Sequence, residues 1–228
     1  MTSSVPLKRV GGVTTAAIVL VAVSALVAVL NVLVGQSFSD EAETYLADGM
    51  SNTDFVEEVA PYLLLTLLQG AVSIAAAVLV IIWMFRIAKN HRTLRRVGTW
   101  GPGWAIGGWF LPPLLYIIPT LMFRELWKAS DPDVPVGGDW KSGRTSPLVW
   151  VWFVLYSLVP VILLFAQGGD TLGSLGGSED QLAEQLTGSQ TSVVIATAVT
   201  IAGAAAFIAL ARALTSRHRR LIGESPGR

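Results

Sequence analysis

Four stretches of the chain run apolar for about 20 residues without one Asp, Glu, Lys or Arg: 13–34, 61–85, 147–166 and 191–211. At 1.5 Å per residue each makes a helix roughly 30 Å long, the thickness of a bilayer's hydrocarbon layer. No water is present there to satisfy backbone N–H and C=O groups, so each stretch must satisfy its own as helix. The pattern predicts an all-α fold, a polytopic membrane bundle of four transmembrane helices in a single domain over residues 1–228. The first stretch is too long for a signal-peptide core of roughly 7–15 residues and no A-x-A-like site follows, so it is expected to stay as an uncleaved span.

A fifth apolar stretch, WAIGGWFLPPLLYIIPTLMF at 104–123, is as long as the others but holds three prolines. Charge decides whether it crosses. With four spans and 104–123 not crossing, one face carries 1–12, 86–146 and 212–228, and the other carries 35–60 and 167–190. All 16 Lys and Arg residues then fall on the first face, while 11 of the 16 acids fall on the second. If 104–123 crossed, 7 basic residues would lie on one side and 9 on the other, with no bias left. Lys and Arg in short loops mark the cytoplasmic side. The four-span arrangement is therefore expected, in a plasma membrane with both termini cytoplasmic and with outer loops at 35–60 and 167–190. The eight tryptophans agree, since in this arrangement all of them lie at or near the cytoplasmic interface that indole rings favour.

The segment 104–130 must then enter and leave on one side. Gly107, Gly108 and Pro112–Pro113 weaken a continuous helix, whereas Pro113 or Pro119 suits the first turn of a new one. That helix is expected to stop near Ser130, before Asp131-Pro132. Tyr116, Thr120, Arg124 and Lys128 recur every four residues as a polar stripe on an otherwise apolar cylinder. The reading is a proline-broken segment, either lying along the interface or re-entrant among the spans.

Composition adds limits. Only 14% of residues are charged, against about a quarter in soluble domains. Cysteine is absent, which removes disulfide and thiol chemistry. His91 and His218 are the only histidines, each beside arginine and without a second ligand at metal spacing. No nucleophile elbow, zinc-protease or phosphate-loop motif occurs, so neither a catalytic constellation nor a cofactor is expected, and nothing points to nucleic acid. The spans hold no ionisable group, which counts against an ion-coupled transporter; Gln69, Ser73 and Asn31 are expected to bond neighbouring helices. Small residues at Ala71/Ala75, Ser73/Ala77 and Ala198/Ala202/Ala206 suit close packing, within the bundle or in a homo-oligomer. Glu125 is expected to pair with Lys128, Arg124 or Arg92. The tail Arg217-His218-Arg219-Arg220 anchors the last span and could hold anionic lipid. The acidic outer loops read as solvated, topology-setting segments.

The run WFLPPLLYIIPTLMFRELWKASDP at 109–132 resembles the bacterial membrane family known as domain of unknown function 4328. The resemblance rests on Trp109, Phe110, Pro112, Pro119 and the ending Glu125-Leu126-Trp127-Lys128-Ala129-Ser130, with Asn90, Arg92, Leu94, Trp150 and Trp152 also fitting; it departs at Leu115, where the pattern has Asn. It implies about four spans and no activity. The expectation is a non-enzymatic integral membrane protein acting as an interaction or regulatory module. Its Trp- and Arg-rich collar, 86–146, would touch a protein partner or lipid through Trp109, Pro112, Pro119, Arg124, Glu125 and Trp127. The alternative is a small-solute channel or transporter.

Overall fold

The computed structural model describes residues 6–96, 98–111, 114–135, 137–166, 178–188 and 190–224, and among them it is all helix and turn, without a strand. Three helices are long and apolar enough to cross a membrane: α1, Gly11–Gln36; α4, Ala60–Thr93; and α10, Gln190–Ile222. Their outward side chains are large and apolar, with Leu67 70% and Ile74 68% exposed. Helices that are apolar all round belong in an apolar medium, and the protein is membrane-associated.

The stretch 147–166 forms a shorter, interrupted helix. Ser146 caps its start by accepting from the Leu148 N–H, and Pro147 occupies the first turn of α7, Pro147–Phe153. A π-helical turn, Val154–Leu158, then leads into α8, Val159–Ala166. Pro160 supplies the reason: it has no N–H to give and its ring crowds the carbonyl four residues back, which the wider π turn relieves.

α1 packs against α4 and α10, and α10 packs against α7 and the π turn. Polar groups within the apolar stretches bond between helices, as the sequence leads one to expect. Ser24 and Ser73 hydroxyls lie 2.9 Å apart, Gln69 Nε2 donates to both, and Thr66 donates to Asn31 Oδ1 at 3.1 Å. The small-residue stripes are different. Ala71, Ala75, Ala198 and Ala202 are exposed, whereas Ala206 of the same stripe is buried, as is Ala76 beside them.

The core sits towards the basic end. Trp83, Phe123, Trp152 and Phe207 meet there, mostly edge to face, with centroids 4.9–6.4 Å apart. Trp83 and Trp152 are thus core residues rather than headgroup anchors. The Trp83 indole N–H donates to Thr215 Oγ1, and Thr215 in turn bonds Thr14, so α1, α4 and α10 share one buried polar node.

At the acidic end, the segments expected to be solvated loops fold into a cap. It consists of α2, Ser39–Leu46; α3, Asn52–Glu58; and α9, Glu179–Thr187. Ala42, Tyr45, Phe55, Val59, Ala183 and Leu186 form its own buried core, with Tyr45 stacked on Phe55 at 4.5 Å. A capping box, Ser178 with Gln181, starts α9, and Tyr45 Oη donates to Asp180 across the cap at 2.8 Å. Residues 167–177 of the acidic loop lie outside the described residues.

Candidate functional site

The proline-bearing segment does not make one helix. It forms a short helix, α5, Trp104–Gly107, a 3₁₀ turn, Leu114–Tyr116, and then α6, Ile118–Ala129, with Pro119 in its first turn. Gly108 is where the two legs close. A Cβ there would lie 2.5 Å from Ile118 Cγ2 and 2.9 Å from the Trp104 carbonyl oxygen. Ser157 Oγ donates to the Tyr116 carbonyl at 2.9 Å. Ser157 is roughly 15 Å along its helix from Pro147, at 1.5 Å per residue, so the turn reaches well down the bundle. Half-buried Trp109 packs on Tyr156 at 5.9 Å. Pro112 lies outside the described residues.

The predicted polar stripe on α6 divides. Thr120 is buried, Lys128 half-buried and Arg124 exposed, while Ile118, Met122, Phe123, Leu126 and Ala129 face the core. The Glu125 carboxylate does not pair with Lys128, Arg124 or Arg92. It accepts from the backbone N–H groups of Thr99 and Trp100, both at 2.9 Å, and holds the turn after α4. A Cβ on Gly98 would collide with that carboxylate, so the glycine makes room for the cap. Trp127 carries the Arg217 guanidinium over its ring at 5.2 Å, and Arg217 also binds Asp131.

Behind this surface lies a buried network that sequence reading missed. The α4 helix ends in a Schellman turn: Arg95 takes the left-handed conformation at φ 57°, its N–H reaches Arg92 O, and Arg96 N–H reaches His91 O. The turn aims the buried Arg96 guanidinium at the C-terminus of α6, where it donates to the carbonyls of Ala129, Asp131 and Val134. Next to it, His91 Nε2 and His218 Nδ1 both contact Ser130 Oγ, at 3.0 and 3.1 Å, and Asn90 Nδ2 contacts His218 Nε2 at 3.0 Å.

The donors in this network can be assigned in sequence. The Asn90 side chain clasps the Lys8 backbone, with Oδ1 accepting from Lys8 N–H at 2.7 Å and Nδ2 donating to Lys8 O at 2.8 Å. That fixes the amide, so Nδ2 donates to His218 Nε2, His218 Nδ1–H donates to Ser130, and Ser130 O–H donates to His91 Nε2. Every contact is satisfied with both rings neutral. Both rings lie beyond the apolar runs, on the projecting ends of α4 and α10. Burial pushes His91 well below the usual imidazole range, assisted by His218 and Arg96; burial and then Arg96 push His218 down to about 4.

A histidine whose folded pKa is depressed contributes stability that is present above the unfolded value of about 6.5 and is lost as pH falls through the folded one. The thermal unfolding temperature in detergent is expected to be independent of these rings above pH 7 and to fall steadily as pH drops from about 6.5 to 4. The double variant His91→Phe/His218→Phe should lose that slope. The signal missed in the sequence was Asn90 and Ser130, which stood in the motif as letters without a partner. His91 and His218 are 127 positions apart and no spacing rule joins them.

On the exposed side of α6, Arg124, Lys128 and Lys141 surround a cleft of about 290 Å³ that also touches Trp100 and Trp140. Lys128 Nζ is held by the Lys141 carbonyl at 3.0 Å, and the Lys141 ammonium lies 5.6 Å from the Trp140 ring. Three cations beside two indole rings suit an anionic group: the cations attract its charge and the rings cover apolar parts next to it. No group of three His, Cys, Asp or Glu that could hold a metal occurs among the described residues. Of the predicted site residues, Arg124 and Glu125 border this cleft, whereas Trp109, Pro119 and Trp127 serve the packing of the hairpin.

No curated protein and no solved structure matches the chain. A family model, the domain of unknown function DUF4328, matches residues 52–216, which include α4, the whole hairpin, α7, α8 and most of α10. The match spans well over half of the sequence, and it contains the Glu125-to-Ser130 motif whose members cap the loop, receive Arg217 and join the two histidines. The chain belongs to the DUF4328 family.

Proposed function

We propose that the chain is a four-span protein of a bacterial plasma membrane with both termini in the cytoplasm, its hairpin re-entering from the cytoplasmic side. On this reading it works as a non-catalytic interaction or regulatory module, and its collar, 86–146, docks an acidic segment of a partner protein. The observation that carries the reading is the cleft of Arg124, Lys128 and Lys141 on the face where all 16 basic residues gather in this topology. Buried Arg96 and the half-buried Asp131 and Glu125 hold that surface in shape, and Arg124 and Lys141 stay exposed.

Two measurements test it. The chain has no cysteine, so single cysteines report without background. Ser142→Cys should resist an impermeant thiol reagent in intact cells and react after permeabilisation, while Thr53→Cys should react in both; the reverse pattern overturns the topology. Gentle purification of the wild type should yield a stoichiometric acidic partner that Arg124→Ser/Lys141→Ser loses. An unchanged set of associated proteins overturns the docking role.

A second reading, a pathway for a small solute, is favoured by one feature. A cavity of about 620 Å³ lies between α1, α4, the π-turn helix and α10, touched by Ser24, Ser73, Trp109 and Tyr156. Its size falls within the roughly 300–1,000 Å³ of ligand sites. Solute flux in reconstituted vesicles that Ser73→Leu blocks would decide for it.

A further inference from the structure

In the sequence the tail Arg217-His218-Arg219-Arg220 reads as one cationic unit for lipid, but the structure splits it. Arg217 turns to Asp131 and Trp127, and His218 is buried in the Asn90 network. Arg219 and Arg220 instead border a different cleft, of about 630 Å³, between the start of α1 and the end of α10. Arg212, two turns further in, borders it too, with Ser216 between at four-residue spacing.

Depth along this cleft follows from the Thr14–Thr215 hydroxyl contact at 3.0 Å, which sets the two antiparallel helices in register. Arg219 and Arg220 therefore lie level with Gly11, at the rim. Thr15 and Ser216 lie in the middle. Arg212 lies level with Ile18 and Val19, at the apolar floor. Arg212 and Arg220 are both exposed, and neither makes an ion pair among the described residues. The one acid of the cleft, Glu224, is already engaged: its carboxylate accepts from the N–H groups of Val10 and Gly11, both at 3.1 Å, and lies 3.9 Å from Arg219 Nε. The cleft is thus cationic at two depths, with hydroxyls between.

Below the floor, α1 continues as an exposed apolar track. Val19 (52% exposed), Val23, Leu26, Leu30 and Leu33 follow at spacings of four, three, four and three, so they share one face. A soluble anion would use the cations and ignore the track. A phospholipid uses both, its phosphate between Arg212 and Arg220 and an acyl chain along Val19 and Val23.

We propose that this cleft is a binding site for one anionic phospholipid, with Arg212 and Arg220 as its phosphate clamp and the α1 track as its chain groove. The proposal needs the chain to lie in a bilayer and is independent of the collar's partner, because the two clefts share no residue.

The test uses the full chain, delipidated in detergent, with bound lipid counted by native mass spectrometry during titration. Three probes are compared: phosphatidylglycerol, phosphatidylcholine, and the deacylated headgroup glycerophosphoglycerol. Phosphatidylglycerol should bind at one copy per chain, with phosphatidylcholine and the soluble headgroup each much weaker. Arg212→Gln/Arg220→Gln should weaken phosphatidylglycerol by about 25-fold, taking about 1 kcal/mol per basic group removed at a membrane surface. Val19→Asn/Val23→Asn should weaken the lipid but leave the soluble headgroup unaffected. Neither side-chain pair is buried, so the lipid-free unfolding temperature should stay at the wild-type value and confirm folding. Equal binding of phosphatidylcholine, equal binding of the deacylated headgroup, or unchanged phosphatidylglycerol binding in the arginine variant would each overturn the site. A lost collar partner with intact lipid binding would instead bear only on the docking role.

Discussion

Arg96→Leu is expected to lower stability by on the order of 4 kcal/mol and to release the loop after α6. The guanidinium is buried and donates to three carbonyls, those of Ala129, Asp131 and Val134. Hydrogen bonds to a charged donor are each worth about 1.5–3 kcal/mol, and a carbonyl left buried without a donor costs its desolvation. Asp131 O and Val134 O sit near water and can recover part of this, which brings the sum down. The cation also stands at the C-terminus of α6, where the helix dipole favours positive charge. Arg96→Lys keeps the charge but not the fork that reaches several carbonyls at once, so an intermediate loss is expected. Denaturation by titrated detergent measures the difference. Protease cleavage at Lys141 and Arg144 should quicken in the leucine variant. A leucine variant as stable as the wild type would show that the loop after α6 does not depend on this side chain.

The three long apolar helices were readable because hydrophobic length follows directly from the thickness of the bilayer. Helix ends were not. α4 continues to Thr93 and α10 to Ile222, beyond the apolar runs that stop at 85 and 211. Charge marks where hydrocarbon ends, but Arg, Lys and His are good residues for a helix's last turns, where they face its negative end, so the helices carry on. The cap was hidden for another reason. Its helices have seven to nine residues and are rich in acid, and the packing of Tyr45 on Phe55 with Ala183 and Leu186 joins segments more than a hundred positions apart. The local signals there, the Ser178–Gln181 capping box and the Ala42/Tyr45 spacing, are too short to stand out against the polar composition. The hairpin was legible through its prolines and glycines, whereas how far it reaches was not, because the Ser157 hydroxyl that meets it lies in a separate apolar helix.

Glu125 shows why motif letters and roles diverge. Its neighbours at three and one positions are Lys128 and Arg124, and helical geometry makes the first a natural partner. The carboxylate instead satisfies two backbone donors 25 and 26 positions away, which an exposed ion pair worth a few tenths of a kcal/mol could not displace. The motif's Ser130 behaves likewise: a hydroxyl that both gives and receives can join two neutral imidazoles, and alanine could not.

The second large effect is expected at Asn90, where two substitutions separate anchoring from proton affinity. Asn90→Leu deletes both bonds to the Lys8 backbone and the donor to His218 Nε2, leaving a buried imidazole nitrogen without a partner. Each unsatisfied buried group costs about 1–3 kcal/mol, and the Lys8 groups can partly return to water, so a loss of about 3 kcal/mol is expected. Trypsin should then cut after Lys8 and Arg9, because the clasp on that segment is gone. Asn90→Asp acts differently. The introduced carboxylate still accepts from Lys8 N–H but has no proton to give His218, so it favours Nε2–H. A doubly protonated His218 can then donate to that carboxylate and to Ser130 together, and Ser130 can still donate to His91. The histidine part of the network closes again, now around a cation paired with an anion, while the Lys8 carbonyl loses its donor. His218 should therefore titrate well above its value of about 4, read by nuclear magnetic resonance of the ring, and the aspartate variant should be more stable than the leucine one. An unmoved His218 titration in Asn90→Asp would mean that the amide does not set the tautomer, and the assignment of donors along the whole chain from Lys8 to His91 would fall with it.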